Sequence, residues 1–305
     1  MNVQANGIPI EVEDTGGSGP AVLLVMGLGM QLTGWPALLV RALVSDGWRV
    51  IRHDNRDAGL SQSFEAAGTP RMLGALVRQR LGLRVSAPYS VLDMARDALG
   101  VLDALGVHRA HVVGASMGGM IAQRMAIAAP ERVTSLTSIM SSSGARGLPG
   151  PRPEVVRAMM ARPWSLQREA VIAYYLNFFR VIGGPGFVVP PEMMRARVLA
   201  SLERAWQPRG ALRQTLAVLA DATRAHELAH IHCPTLVIHG RDDPFVPLAC
   251  GEDTARRIAG ARLEVIDGMG HDLPDGVIER LLPPLLEHLG SAERPRQRMT
   301  QEMTA

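Results

Sequence analysis

Apolar residues recur along this chain in two rhythms. Short, nearly unbroken apolar runs predict strands buried on both faces of a sheet, and stretches with apolar positions three and four apart predict helices. The first kind comprises AVLLVM (21–26), WRVIRHD (48–54), AHVVG (110–114), VTSLTSIM (133–140), TLVIHG (235–240) and RLEVID (262–267). Between them lie WPALLVRALVSDG, stopped by Gly47, and SVLDMARDALGVLDALG (90–106), with Ser90 as N-cap and Gly106 as stop. MGGMIAQRMAIAA, closed by Pro130, a helix near 249–259 and a last one within 275–289 complete the set. Near the start, Asn6-Gly7 between short alternating runs predicts a hairpin. Strands alternating with helices predict βαβ units, hence an α/β fold whose mostly parallel sheet is flanked by helices on both faces.

Two stretches break the rhythm. Residues 61–88 form a long connection between a strand and the next helix. Residues 145–230 hold helical patterns and no convincing strand: PEVVRAMMA, SLQREAVIAYYLNFFR, PPEMMRARVLASLERAW and ALRQTLAVLADATRAHEL, separated by Pro and Gly. A helical block inserted between two strands of an open sheet predicts a cap. The expected organisation is therefore a core of 1–144 and 231–290, a helical cap of 145–230 and a polar, frayed tail of 291–305.

Composition narrows the class. With 305 residues, 47% hydrophobic and 20% charged, the chain suits one large globular domain or a core with an insertion. All 32 basic residues are Arg, scattered among 29 acids for a net charge of +3, so there is no basic stripe for nucleic acid. The longest apolar stretch, AVLLVMGLGM, is too short and too rich in glycine to span a bilayer, so no membrane partner is expected. The N-terminus lacks the charged and apolar regions of a signal peptide. Two cysteines, Cys233 and Cys250, make no disulfide framework. The expectation is a cytoplasmic protein; whether it forms a homodimer stays open.

The most informative stretch is HVVGASMGGMIA (111–122), which reads strand, then G-x-S-x-G at Gly114-Ala115-Ser116-Met117-Gly118, then helix. That is the context a nucleophile elbow requires. Gly114 and Gly118 leave room for a sharp turn, and the new helix points its N-terminus at the developing negative charge. A serine needs a base, and the base needs an orienting acid, in the chain order Ser, acid, His for such a sheet. Of nine histidines, His271 alone follows a strand in a glycine-rich loop, IDGMGHDLP, downstream of the serine. The acid must come from the end of an earlier strand, and TLVIHGRDDPFVP presents two, Asp242 and Asp243.

GASMGG, HGRDDPFVP and GMGHDLP, with VMGLG and DNRDAGLS, resemble the α/β-hydrolase superfamily, and within it bacterial esterases similar to aclacinomycin methylesterase. The resemblance covers nearly the whole chain, least in 61–88 and the cap. It implies an acid three residues after the strand-ending glycine, in a pattern like G-x-x-D-x-x-x-P. From Gly240 that is Asp243, with Pro247 in the final position. It further implies an oxyanion hole made by the backbone N–H groups of Leu28 and Met117. Met26 stands where relatives often carry His. The implied activity is ester hydrolysis on a small molecule with no cofactor. Carbon–carbon bond hydrolases of the same fold share SMGG and a similar GRDDxFVP and are the runner-up. A ligand-binding member without turnover is the reading from another class. Aspartate-nucleophile relatives are disfavoured by Ser116.

Three motifs compete and lose. GLGMQL lacks the last glycine of a dinucleotide loop, and a P-loop is impossible without Lys. HELAH (226–230) fits a zinc helix, but Pro234 and a strand follow at once, so that helix is ending and no metal is expected. Tyr174, Tyr175, Phe178 and Phe179 hold four of the twelve aromatics at helical spacing and predict part cap packing, part lining of an apolar substrate pocket.

Overall fold

A computed structural model describes residues 1–161 and 163–304, with side chains given as far as residue 293. Eight strands form one sheet: β1 (Asn2–Ala5), β2 (Ile8–Asp14), β3 (Ala21–Val25), β4 (Arg49–His53), β5 (Ala110–Ala115), β6 (Val133–Ile139), β7 (Thr235–Gly240) and β8 (Arg262–Ile266). Their order is β1-β2-β4-β3-β5-β6-β7-β8. β1–β2 and β2–β4 pair antiparallel, and the remaining pairs are parallel. The helices are α1 (Ala37–Ser45), α2 (Met72–Arg80), α3 (Val91–Ala104), α4 (Met117–Ala128), α5 (Pro153–Met160), α6 (Arg168–Ile182), α7 (Pro191–Arg204), α8 (Pro208–Ala220), α9 (Arg224–Glu227), α10 (Leu248–Arg257) and α11 (Asp275–Thr304).

Strand alternation feeds two cores. Leu23, Val25 and Val112 turn toward one face and pack with Met94, Ala98, Val101 and Leu102 of α3 and Ile121 and Met125 of α4. Val22, Leu24 and Val113 turn to the other and meet Leu39 and Leu43 of α1 and Val277, Ile278, Leu281 and Leu285 of α11. With both faces covered, the central strands read as continuous apolar runs. The helix ends follow local chemistry. Ser90 and Asp93 form a reciprocal capping box on α3, and Gly47 and Gly106 take positive φ just past α1 and α3.

Three features depart from the sequence reading. The 61–88 connection carries a helix of its own, α2. It packs on α8 through Ala75 and Leu216 and leaves Leu73, Leu76 and Val77 exposed, so its apolar positions follow no core-facing period. The stretch 208–230 breaks at Asp221, whose carboxylate pairs with Arg224 and Arg124. The block between β6 and β7 therefore holds five helices among the described residues. The last helix continues beyond 289, through the stretch expected to fray, to Thr304; Ala305 and the side chains of 294–304 lie outside the described residues.

The helical block is tied to the core by buried charge. Arg213 of α8 donates Nε and Nη2 to the Asp57 carboxylate at 2.8 and 2.7 Å, and both side chains are almost wholly buried. Tyr89 and the Phe64 N–H complete the shell around Asp57, each at 2.7 Å. Burial pushes the Asp57 carboxyl up, but Arg213, the Phe64 amide and the Tyr89 hydroxyl outweigh it and hold it below its ordinary value. Removing one member of such a pair strands the other. Arg213→Met is expected to cost about 3–5 kcal/mol, read as a fall in the urea unfolding midpoint, with part of it recovered when Asp57→Asn is added. A loss under about 1 kcal/mol would show that Asp57 is well solvated without its partner.

Candidate active site

At the carboxyl end of β5 the chain turns sharply into α4. Ser116 has φ 56° and ψ −119°, a conformation that non-glycine residues adopt only under constraint. The constraint is close backbone approach. A Cβ on Gly118 would fall on the Val25 carbonyl, and one on Gly114 would fall on the Gly118 carbonyl. With hydrogen in both places, α4 starts at once against β3 and β5 and lifts the Ser116 side chain off the sheet. The turn is pinned by the Ser116 N–H to the Ile139 carbonyl at 2.9 Å and by the Ser141 hydroxyl to the Ser116 carbonyl at 2.7 Å.

His271 lies in the loop after β8, 2.9 Å from Ser116 Oγ through Nε2. Its Nδ1 lies 2.7 Å from Asp243 Oδ2, in the loop after β7. The other Asp243 oxygen accepts the Phe245 and Val246 N–H groups, both at 2.8 Å. An acceptor on Nδ1 sets the tautomer, so Nδ1–H donates to the carboxylate and Nε2 is free to accept the serine proton. The His271 backbone is held by its N–H to Ile182 O at 2.7 Å, at the end of α6. The three residues thus form one hydroxyl–imidazole–carboxylate line drawn from three loops on one sheet edge.

Asp242 faces elsewhere. Its Oδ2 accepts the Gly268 N–H at 2.9 Å and its own N–H donates to Met269 O, which staples the β7 loop to the β8 loop. Met117 follows Ser116 directly in the chain, and Gly27, the residue before Leu28, lies against the serine: the position a Cβ on Gly27 would take is 3.2 Å from Ser116 Cβ and 3.8 Å from Oγ. Among the described residues neither the Leu28 nor the Met117 N–H donates to a protein acceptor. Of the four aromatics on α6, Phe178 connects with the site. Its ring stands 6.1 Å from Phe245, which is 4.9 Å from the His271 ring. Tyr175 takes a 3.4 Å bond from Trp206, Tyr174 stacks edge-on against Tyr175, and Phe179 packs against Phe178. All four are half-buried. HELAH is split between α9 and a 3-10 turn, Leu228–His230, and Glu227 pairs with Arg124 at 2.7 Å.

Some residues around the site were not singled out by pattern. His239, fully buried at the end of β7, donates Nε2–H to Val246 O at 2.7 Å and so braces the turn that carries Asp243. Burial holds its pKa down, keeping the ring neutral. Its only trace in the sequence is a polar residue at the end of an apolar strand. Asp272, next to His271, is pushed up to about 6, chiefly by burial. Its Oδ1 has no partner among the described residues.

The sequence profile described as the alpha/beta hydrolase fold matches residues 20–275. Rhodomycin D methylesterase DauP of Streptomyces sp. (strain C5) is 30% identical over 89% of this chain and 91% of its own length. A 2-hydroxy-6-oxononadienedioate/2-hydroxy-6-oxononatrienedioate hydrolase of Burkholderia vietnamiensis is 31% identical over 89% of this chain and 88% of its own. Among solved structures, the meta-cleavage product hydrolase of Pseudomonas fluorescens IP01 superimposes with a TM-score of 0.74 at 22% identity, covering 96% of this chain and 98% of that one.

The Asp272 carboxyl generates a pH dependence of stability. A folded-state pKa of about 6 against an ordinary 3.8 means that the native state binds this proton more tightly. Its contribution is therefore favourable in acid and is lost as pH rises through that window. Asp272→Asn removes the buried charge. It is expected to raise the melting temperature near pH 8 and to leave it close to wild type near about pH 4; equal shifts at both would mean that the carboxyl titrates as if in water.

Proposed function

This chain belongs to the alpha/beta hydrolase family, and from that premise we propose that it is a serine esterase working through a covalent acyl-enzyme. The observation that carries the reading is the line from Ser116 Oγ through His271 to Asp243, at 2.9 and 2.7 Å. Ser116 Oγ attacks the ester carbonyl as its proton passes to His271 Nε2. Asp243 keeps the imidazole oriented and stabilises the cation that forms. The tetrahedral oxyanion sits between the Leu28 and Met117 N–H groups, with the N-terminus of α4 behind it. The His271 proton then goes to the departing alcohol and leaves an acyl group on Ser116. Water, deprotonated by His271, attacks that acyl carbon, and collapse releases the carboxylic acid and restores the serine. None of these steps calls for a cofactor.

Residues 145–230 act in this proposal as a cap over the site. Phe178 of α6, with Phe245 beneath it, gives the acyl side an aromatic wall, which suits a medium-sized apolar acid. The Streptomyces relative is named a methylesterase, so a methyl ester of such an acid is the substrate class proposed. Carbon–carbon bond hydrolysis is the second reading, favoured by the Burkholderia relative at 31% identity.

One panel separates these readings. Methyl and 4-nitrophenyl esters of graded acyl size are assayed beside a vinylogous diketone on the wild type, Ser116→Ala, Asp243→Asn and Asp242→Asn. The expectation is turnover of apolar esters and little of the diketone, with activity abolished in Ser116→Ala. Asp243→Asn should reduce kcat by about 10⁴-fold and Asp242→Asn by far less. Turnover of the diketone alone would give the reaction to the second reading. Ester hydrolysis surviving in Ser116→Ala, or a larger loss from Asp242→Asn than from Asp243→Asn, would sink the assignment.

A further inference from the structure

The Leu28 N–H is held in place from two sides. On the sheet side, Asn55 Nδ2 donates to Met26 O at 2.8 Å. On the other side, Gln214 of α8, with none of its surface exposed, accepts the Gly29 N–H on Oε1 at 2.7 Å and donates Nε2–H to Arg56 O at 2.8 Å. The chain from Met26 to Gly29 contains three rigid peptide planes. The first is fixed through the Met26 carbonyl and the third through the Gly29 N–H. The middle plane, between Gly27 and Leu28, carries the Leu28 N–H and is left little freedom to rotate. Gly29 has φ +70°, and a Cβ there would stand 3.1 Å from Ala211 Cβ, so α8 runs hard against this loop.

The next turn of the loop is tied to α7. Gln31 Nε2 donates to the carbonyls of Ser201 and Ala205 at 2.7 and 2.8 Å. Arg204 donates to Gln31 Oε1 and to the fully buried Asp54, both at 2.7 Å, while Asp54 also accepts the Leu32 N–H at 2.7 Å. The helical block thus bonds directly to the loop that carries Leu28.

We infer that Gln214 is a positioning residue for the oxyanion donor, through which the inserted helices set the direction of the Leu28 N–H. This rests on the esterase reading. The Gly29–Gln214 bond is a contact between protein groups, already made without substrate, so its loss should act on the transition state, where the Leu28 N–H meets full negative charge. Ground-state binding should change little.

The test takes the best ester of the panel and measures kcat, KM and melting temperature for wild type, Ser116→Ala, Gln214→Met and Gln214→Glu, with inhibition by the trifluoromethyl ketone of the same acyl group. Gln214→Met keeps the volume and removes the acceptor. It is expected to lower kcat by about 10–100-fold, with KM within about twofold, and to weaken the ketone by a similar factor. Gln214→Glu, held by burial as the neutral acid, keeps an acceptor oxygen for Gly29 and an O–H to donate to Arg56 O, and is expected to stay within about fivefold of wild type. Wild-type kcat in Gln214→Met, or a change confined to KM, overturns the inference while the esterase reading stands. Equal losses in both variants, tracking a fall in melting temperature, reduce Gln214 to packing and overturn it as well. Hydrolysis unaffected in Ser116→Ala brings down the esterase reading and this inference with it.

Discussion

The contact between α4 and the end of β3, where Gly118 lies against the Val25 carbonyl with no room for a Cβ, sets the geometry of the whole site. It lets a strand turn into a helix in one residue, and the cost is borne at Ser116, whose backbone sits in a region worth about 1–3 kcal/mol of strain. That cost is offset by the cores on both faces of the sheet, where α3 and α4 pack on one side and α1 and α11 on the other. A parallel sheet covered on both faces sends its loops to a common edge. A serine after β5, a carboxylate after β7 and an imidazole after β8 meet there because β5, β6, β7 and β8 lie side by side.

A second constraint is polar and lies at the end of β4. Asp54, Asn55, Arg56 and Asp57 are all buried, and each bonds a different element: α7 through Arg204, the β3 loop through Met26, α3 through Asp97, and α8 through Arg213. Desolvating so many charges gains little stability relative to apolar packing. What it yields is register, because each pair is satisfied in only one arrangement of the inserted helices over the core. The loop with Leu28 and the helices above it are bound into the same hub, so the seating of the helical block and the geometry behind Ser116 are physically coupled.

The sheet and the line of side chains at its edge were legible because both are local. Strand AHVVG, the two glycines around Ser116 and the helix after them lie in one stretch, 110–128, and GMGHD with the strand before it lies in another, 262–272. The choice of Asp243 over Asp242 was less so. Alternation alone leaves both open, and the family spacing from Gly240 decided it. In the fold the distinction is plain, since Asp243 turns to His271 while Asp242 bonds the Gly268 amide. Helix α2 was illegible because Leu73, Leu76 and Val77 lie exposed beside Arg78, Gln79 and Arg80, so apolar and polar positions do not separate into two faces. Gln214, His239 and Arg204 were missed for a different reason. A buried polar side chain is defined by a partner up to 185 residues away in the chain, as Gln214 is by Gly29, and a single sequence carries no mark of that pairing.

Everything at this sheet edge turns on Ser116 being a nucleophile made reactive by His271. The most direct measurement is mass spectrometry of the intact chain and its peptides after exposure to a fluorophosphonate. One covalent adduct is expected, on the peptide bearing Ser116, absent in Ser116→Ala and formed far more slowly in His271→Ala. An unlabelled protein, an adduct on another residue, or labelling indifferent to His271 would contradict it.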